Sequence, residues 1–423
     1  MHRRQFIQTI GLTGALAAAG KISASAATGA GTKTTTPPGD PDTLVNGTPA
    51  VFAPTPDSFT VTIPLTADAL VWLEYGETEK LGSTVRGDSF GFVRHDDTVV
   101  KIKVRNLKPG TRYYWRVVTR PALPYIGSQK AVLREPVPET RSRIYTTKTL
   151  APNARETQFS VWNDTHDRNE TIRALHAARR ADDDFMLWNG DMSNNVNDRA
   201  LLPGLYVCPQ GVDLAEGPPI FDTRGNHDVR GLWAGRMSDY VEYPDGNRPF
   251  YAFRSGPMAA IALDTGEDKP DNHRSYRGGA AFEPIIREQA AWLEEVIRRP
   301  EMRDAPYRVV FCHIPLRWTD ERPQDYEGKG FDRYSLRGRL AWQGALVKWG
   351  AQIIISGHTH RHALLQPTAE FPYTQITGGG PQPERATVIR GHADAGKLKV
   401  SVIRMHDGAS LNDLEFKPLA RVA

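Results

Sequence analysis

The chain has 423 residues, 39% hydrophobic and 24% charged. At roughly 100–200 residues per domain this is two or three globular domains, and no run approaches the ~20 apolar residues of a membrane-spanning helix. The formal charge of +4 falls to +1 without the three cations of residues 1–26, which gives no global electrostatic case for nucleic acid, and two cysteines exclude a disulfide framework.

Residues 1–26 read as an export signal. Arg3 and Arg4, followed by Phe6 and Ile7, resemble the twin-arginine pattern, ahead of a mildly apolar stretch at 10–19 and the small-residue cleavage pattern Ala24-Ser25-Ala26. His2 and Gln8 depart from the usual pattern, so a Sec signal that carries two arginines is the alternative. Either route predicts an exported protein, periplasmic or extracellular. Residues 27–50 are rich in Thr, Gly and Pro and predict a flexible linker.

Residues 51–148 predict a β-sandwich. Segments 59–63 and 71–75 alternate, and 99–104 and 112–118 are further strands. The run Leu107-Lys108-Pro109-Gly110-Thr111-Arg112-Tyr113 sets a Tyr just after a Pro-Gly turn. It resembles the corner of fibronectin type III sandwiches, where the ring is buried and the hydroxyl bonds to backbone. No binding motif stands out in this region, and support of the second domain is its predicted role.

From about residue 155 to 423 strands alternate with helices, as in a layered α/β domain. Strands are predicted at 158–162, 184–188, 219–223, 307–312 and 352–355, with an antiparallel pair at 250–253 and 259–263. Helices are predicted at 170–180, 284–299 and 335–349. On the second of these, Ile285, Ile286, Gln289, Trp292, Leu293, Val296 and Ile297 follow the 3.6-residue period. Strands at 397–405 and 414–416 end the pattern. Cys312, inside an apolar run, reads as a small buried hydrophobe, with a Cys208–Cys312 bridge as the other reading.

Chemistry-bearing residues follow five of these strands: Asp164-Thr165-His166, Gly190-Asp191, Gly225-Asn226-His227-Asp228, His313, and Gly357-His358-Thr359-His360. In open α/β layers ligands bind beyond the carboxyl ends of strands. Each piece alone reads as turn chemistry or a hydrogen-bonded histidine. Together they bring three Asp, one Asn and five His to one end of the domain, a set costly to bury unpaired. Metal cations neutralise the carboxylates and use the imidazole lone pairs. The absence of thiolate from the set suits Mn, Fe or Zn.

These motifs, in this order over residues 155–405, resemble the calcineurin-like metallophosphoesterase superfamily, and the β-sandwich in front resembles the architecture of purple acid phosphatases. The resemblance implies a four-layer α/β/β/α domain with a dinuclear site at the sheet edge. It implies Asp164, His166 and His360 on one metal, Asn226, His313 and His358 on the other, and Asp191 between them. It places His227 beside the scissile phosphate and suggests Asp228 as the partner that orients it. Two positions depart from purple acid phosphatases. Thr165-His166 replaces the x-Gly after the first Asp, and Asn194 stands where those enzymes have a Tyr ligand. A protein of that architecture without the purple colour is therefore expected.

The activity implied is metal-dependent hydrolysis of phosphate esters, with metal-bound hydroxide as nucleophile and His227 as general acid. The alternatives are a phosphodiesterase or nuclease-like enzyme on larger substrates, and a surface binding protein with a degenerate enzyme domain. Arg224, Asn194 and Arg317 are candidates for substrate contact, against an equally plain reading as salt bridges, caps or surface residues. No nucleic-acid or membrane partner is evident.

Overall fold

The computed structural model describes residues 44–122, 137–246, 248–319 and 332–420. The predicted export signal, most of the predicted linker and the polar residues Asp320, Glu321 and Arg322 lie outside the described residues. The last part of the linker is packed rather than loose: Val45 bridges Leu65, and Thr48 and Ala50 are buried.

The first described strands are β1 (Ala50–Phe52), β2 (Phe59–Pro64), β3 (Ala69–Gly76), β4 (Ser83–Arg86), β5 (Val99–Val104), β6 (Arg112–Pro121), β7 (Thr140–Arg141) and β8 (Tyr145–Lys148). One sheet runs β7–β6–β3–β4, with β8 also on β6. It faces β1, β2 and β5 across a core that includes Phe59, Val61, Ile102, Trp115 and Tyr145. Tyr113 is buried, and its hydroxyl accepts the Lys108 N–H at 2.9 Å, as the corner motif predicts. The alternation at 59–63 does not leave a wet face, because β2 is buried at every residue. Thr62 and Thr60 pair with Lys101 and Lys103 of β5. Lys101 reaches over to the Ser238 and Val241 carbonyls, so this face is covered by the second half of the chain.

The remaining main elements are β9 (Thr157–Trp162), α1 (Asn169–Ala177), β10 (Phe185–Asn189), α2 (Leu202–Tyr206), β11 (Ile220–Thr223), β12 (Tyr251–Ser255), β13 (Met258–Leu263), α3 (Phe282–Val296), β14 (Tyr307–Cys312), α4 (Asp332–Trp349), β15 (Ile353–Ser356), β16 (Ala363–Leu365), β17 (Thr374–Thr377), β18 (Thr387–Ala393), β19 (Leu398–Arg404) and β20 (Ser410–Phe416). They form two mixed sheets. One has the order β20–β19–β18–β9–β10–β11–β1–β2–β5, and the other β12–β13–β14–β15–β17–β16. The first crosses the predicted domain boundary: β1 pairs in parallel with β11.

Phe159, Phe185 and Phe221 on the first sheet meet Phe311 and Phe253 on the second through edge and stacked contacts. On the outer face of the first sheet Trp162 meets Trp188, and Ile172, Leu175, Leu202 and Leu205 of α1 and α2 join the same core. The outer face of the second sheet is covered by α3 and α4 through Ile286, Leu293, Trp342 and Leu346. The order of layers is helix, sheet, sheet, helix. Helix α1 stops short of the predicted residue 180, because Arg179 turns to the Asp213 and Pro218 carbonyls and Arg180 to buried Asp183. Cys208 and Cys312 are free and buried. Among the described residues no helix is long and apolar enough to cross a membrane.

Candidate metal centre

All five predicted motifs lie at the carboxyl ends of neighbouring strands: β9, β10 and β11 of one sheet, β14 and β15 of the other. The chain turns sharply there. Asp164, His166, Asp191, His358 and His360 all have φ between 47° and 71°, a left-handed conformation that non-glycine residues seldom adopt. Such strain collects at functional sites, where the surrounding structure holds it. Glycine is required where loops touch. A Cβ on Gly225 would lie 2.2 Å from the Asp191 backbone nitrogen, and one on Gly357 would lie 2.4 Å from Asp164 Oδ2. Gly378 and Gly380, whose part the sequence leaves open, close against Asn163 and Asp164 behind the site.

Two groups of donor atoms result. Asp164, His166, Asp191 and His360 form one, and Asp191, His313 and His358 the other, each with its atoms within 4.8 Å of one another. Asp191 belongs to both. Its Oδ2 lies 3.3 Å from His166 Nε2 and 3.2 Å from His313 Nε2. Asn226 joins the second group, with Oδ1 2.8 Å from His358 Nδ1.

The surrounding hydrogen bonds aim these donors inward. His313 Nδ1 donates to the Asn189 carbonyl at 2.9 Å, which turns Nε2 and its lone pair toward Asp191. His166 Nδ1 donates to Asn194 Oδ1 at 3.0 Å, so its Nε2 lone pair points at His360 Nε2, 2.8 Å away. Asp164 accepts the His358 N–H and the Asn163 amide. This is the second layer of contacts by which metal-binding imidazoles are held.

Asp191 Oδ2 and His313 Nε2 are buried and have no hydrogen-bond partner among the described residues. Burial works against charge on His313, yet Asp191 and Asp164 push its pKa up to about 10. Burial and the His313 charge hold His358 well below the ordinary histidine value. Two buried carboxylates thus draw protons onto imidazoles whose lone pairs converge. Cations satisfy the same carboxylates and leave the imidazoles as neutral ligands, so the residues fit a pair of metal ions.

His227 stands beside this cluster, its ring centroid 4.7 Å from that of His166 and its backbone N–H on Asp191 Oδ1 at 2.8 Å. Its Nδ1 meets the Asn194 carbonyl at 2.9 Å and its Nε2 meets Arg230 Nη1 at 2.9 Å.

Four of the candidate residues are engaged by the protein itself. Asp228 does not orient the His227 ring; its buried carboxylate accepts the Gly225 and Ser193 backbone N–H groups and ties the two loops together. Arg224 is taken up by Asp264, at 2.5 and 3.2 Å, rather than left for a substrate phosphate. Arg317 donates to the Gln366 carbonyl and lies over the Phe371 ring. Asn194 is neither a cap nor free for substrate, because its amide holds His166 at both ends and its carbonyl holds His227. Sequence reasoning missed Asn163, Asn189 and Arg230. Arg230 had one available signal, its place three residues after His227 in the same loop.

Residues 158–362 match the family model for calcineurin-like phosphoesterases. The chain is 22% identical over 299 residues to purple acid phosphatase 21 of Arabidopsis thaliana, covering 70% of this chain and 60% of that relative. It therefore spans 60% of the relative's length. Among solved structures it is similar to the purple acid phosphatase PPD1 from yellow lupin (Lupinus luteus) seeds, with a TM-score of 0.63, 14% identity and coverage of 88% and 75% of the two chains. It is also similar to PhoD, with a TM-score of 0.58, 13% identity and coverage of 92% and 94%. At such identities these likenesses speak to the fold, and it is the two-sheet fold described above. Over residues 158–362, just under half of the chain, the sequence is thus similar to the calcineurin-like phosphoesterases.

Proposed function

We propose that this chain is an exported hydrolase of phosphate esters that works with two metal ions. The observation that carries the reading is the convergence of two donor groups that share Asp191. Asp164, His166 and His360 would hold one ion, Asn226, His313 and His358 the other, and Asp191 would serve both. Carboxylate, amide oxygen and imidazole suit Mn, Fe or Zn. When bound, such a pair withdraws charge from phosphoryl oxygens and lowers the pKa of a water nearby.

The chain's own residues do the rest. The Asp164 and Asp191 carboxylates fix the charge balance of the site, and Asn189 and Asn194 hold the imidazoles in the ligating tautomer. His227, fixed over Asp191 by its own backbone N–H, holds or moves a proton at the leaving oxygen. The similarity to purple acid phosphatase 21 supports phosphate esters as the substrate class, a small monoester or diester. The likeness of residues 1–26 to a twin-arginine export signal supports action outside the cytoplasm.

The test is the rate ratio for bis(4-nitrophenyl) phosphate and 4-nitrophenyl phosphate with purified protein and Mn supplied. Turnover of at least one ester, abolished by a chelator, is expected, and the ratio assigns diester or monoester preference. No turnover of either by protein shown to hold two metals would overturn the reading.

A further inference from the structure

Two loops, residues 194–201 and 226–233, wall the site on the His227 side, and they are laced together. The Val196 N–H donates to the Arg230 carbonyl and the Trp233 N–H to the Val196 carbonyl, both at 2.8 Å. The Leu232 N–H donates to Asn197 Oδ1 at 3.2 Å. Gly231, with φ at 107°, lies so close that a Cβ there would come within 2.5 Å of the Val196 carbonyl. Val196 is buried, and Trp233 packs against the same core.

Between Gly231 and Trp233, Leu232 is 80% exposed. Leu201 is 50% exposed. It ends the turn Arg199–Leu201, which Asp198 caps by accepting the Ala200 N–H at 2.9 Å. Single exposed leucines are ordinary on a protein surface. These two are carried on tied-down backbone at the rim of a metal centre, where a fixed apolar contact costs little ordering when a ligand arrives. The cations of the same wall are already engaged. Arg230 donates to the two carboxylate oxygens of Glu267 at 3.0 and 2.7 Å and to Asp268 at 3.0 Å. Arg199 lies 3.9 Å from Asp97. The wall therefore offers apolar surface, and little to a second anionic group.

Resting on the phosphoesterase reading above, in which His227 serves the leaving oxygen, we propose that Leu232 and Leu201 line a subsite for the leaving group, and that this group is apolar. The substrate is then the ester of an aryl or alkyl alcohol rather than of a phosphorylated one.

The test compares phenylphosphonate with methylphosphonate, which share the anionic head and differ in the apolar group, by calorimetry on full-length protein with Mn supplied. The protein should bind phenylphosphonate about 10-fold more tightly, roughly the worth of partly covering one leucine. Leu232→Ser should bring the ratio toward one, Leu201→Ser in the same chain should complete the loss, and Leu232→Met should restore most of it. A ratio near one in the unaltered protein, or a ratio that survives the double substitution, would overturn the proposal. So would binding to phosphatidylcholine vesicles that the double substitution abolishes while the phosphonate ratio stays, because the leucines would then serve a lipid surface. The ratio is read without turnover. Ester hydrolysis with no preference between the phosphonates overturns the subsite alone, and a leucine-dependent preference without hydrolysis overturns the hydrolase reading alone.

Discussion

His166 and His360, 194 residues apart in sequence, meet Nε2 to Nε2 at 2.8 Å, with the His166 proton held on the far nitrogen by Asn194. Two lone pairs do not face each other at that distance without a cation or a proton between them. His360→Asn should therefore lower metal content from two ions to one per chain by elemental analysis, with the Asp191–His313–His358 group still loaded. Loss of both ions, or of neither, would contradict the division into two groups.

Asp191→Asn removes the charge common to both groups. Metal content and ester hydrolysis should fall together. A variant with two tightly held ions would show that Asp191 does not join them.

His227 touches the cluster through its backbone, while its ring stands to one side. His227→Asn should retain both metals and lose about 10²–10⁴-fold in rate with a poor leaving group, and much less with 4-nitrophenolate. Equal losses on both substrates would remove the ring from proton transfer.

Asp228 ties Gly225 to Ser193 from a fully buried position. Asp228→Ala strands two buried backbone donors, each costing about 1–3 kcal/mol. The urea midpoint of the metal-free protein should fall accordingly, and an unshifted midpoint would mean that other groups secure these loops.

Asn194, where purple acid phosphatases have a tyrosine ligand, spends its amide on His166. Iron-loaded protein should show no tyrosinate-to-iron band in the visible spectrum. A purple solution would require a phenolate from elsewhere in the chain.

The ligand set was legible because each piece is local: a strand, a sharp turn and a ligand lie within about ten residues, and parallel pairing brings the five turns to one edge. The partners of those ligands were not legible. Asn189 sits inside a strand, and Glu267 and Asp268 lie in an ordinary polar loop 37 and 38 residues beyond Arg230. Only the folded chain sets Asn189 against the His313 imidazole and the two acids against Arg230. The protein partners of the candidate substrate contacts were hidden for a related reason. A charged side chain near a motif has many possible partners, and Arg224 found Asp264. Alternation likewise reports one buried face of β2, but not the second half of the chain lying over the other.

That same strand belongs to a hydrogen-bonded ladder running from β5 to β20 without a break. Cutting the chain near residue 150 would strip β1 from β11 and leave a raw strand edge beside the loop that carries Asn226 and His227. The front of the protein is therefore no interchangeable attachment. Loss of order at either end of this shared sheet should spread toward the loops of the candidate metal site, so the amino-terminal and carboxyl-terminal parts stand or melt as one.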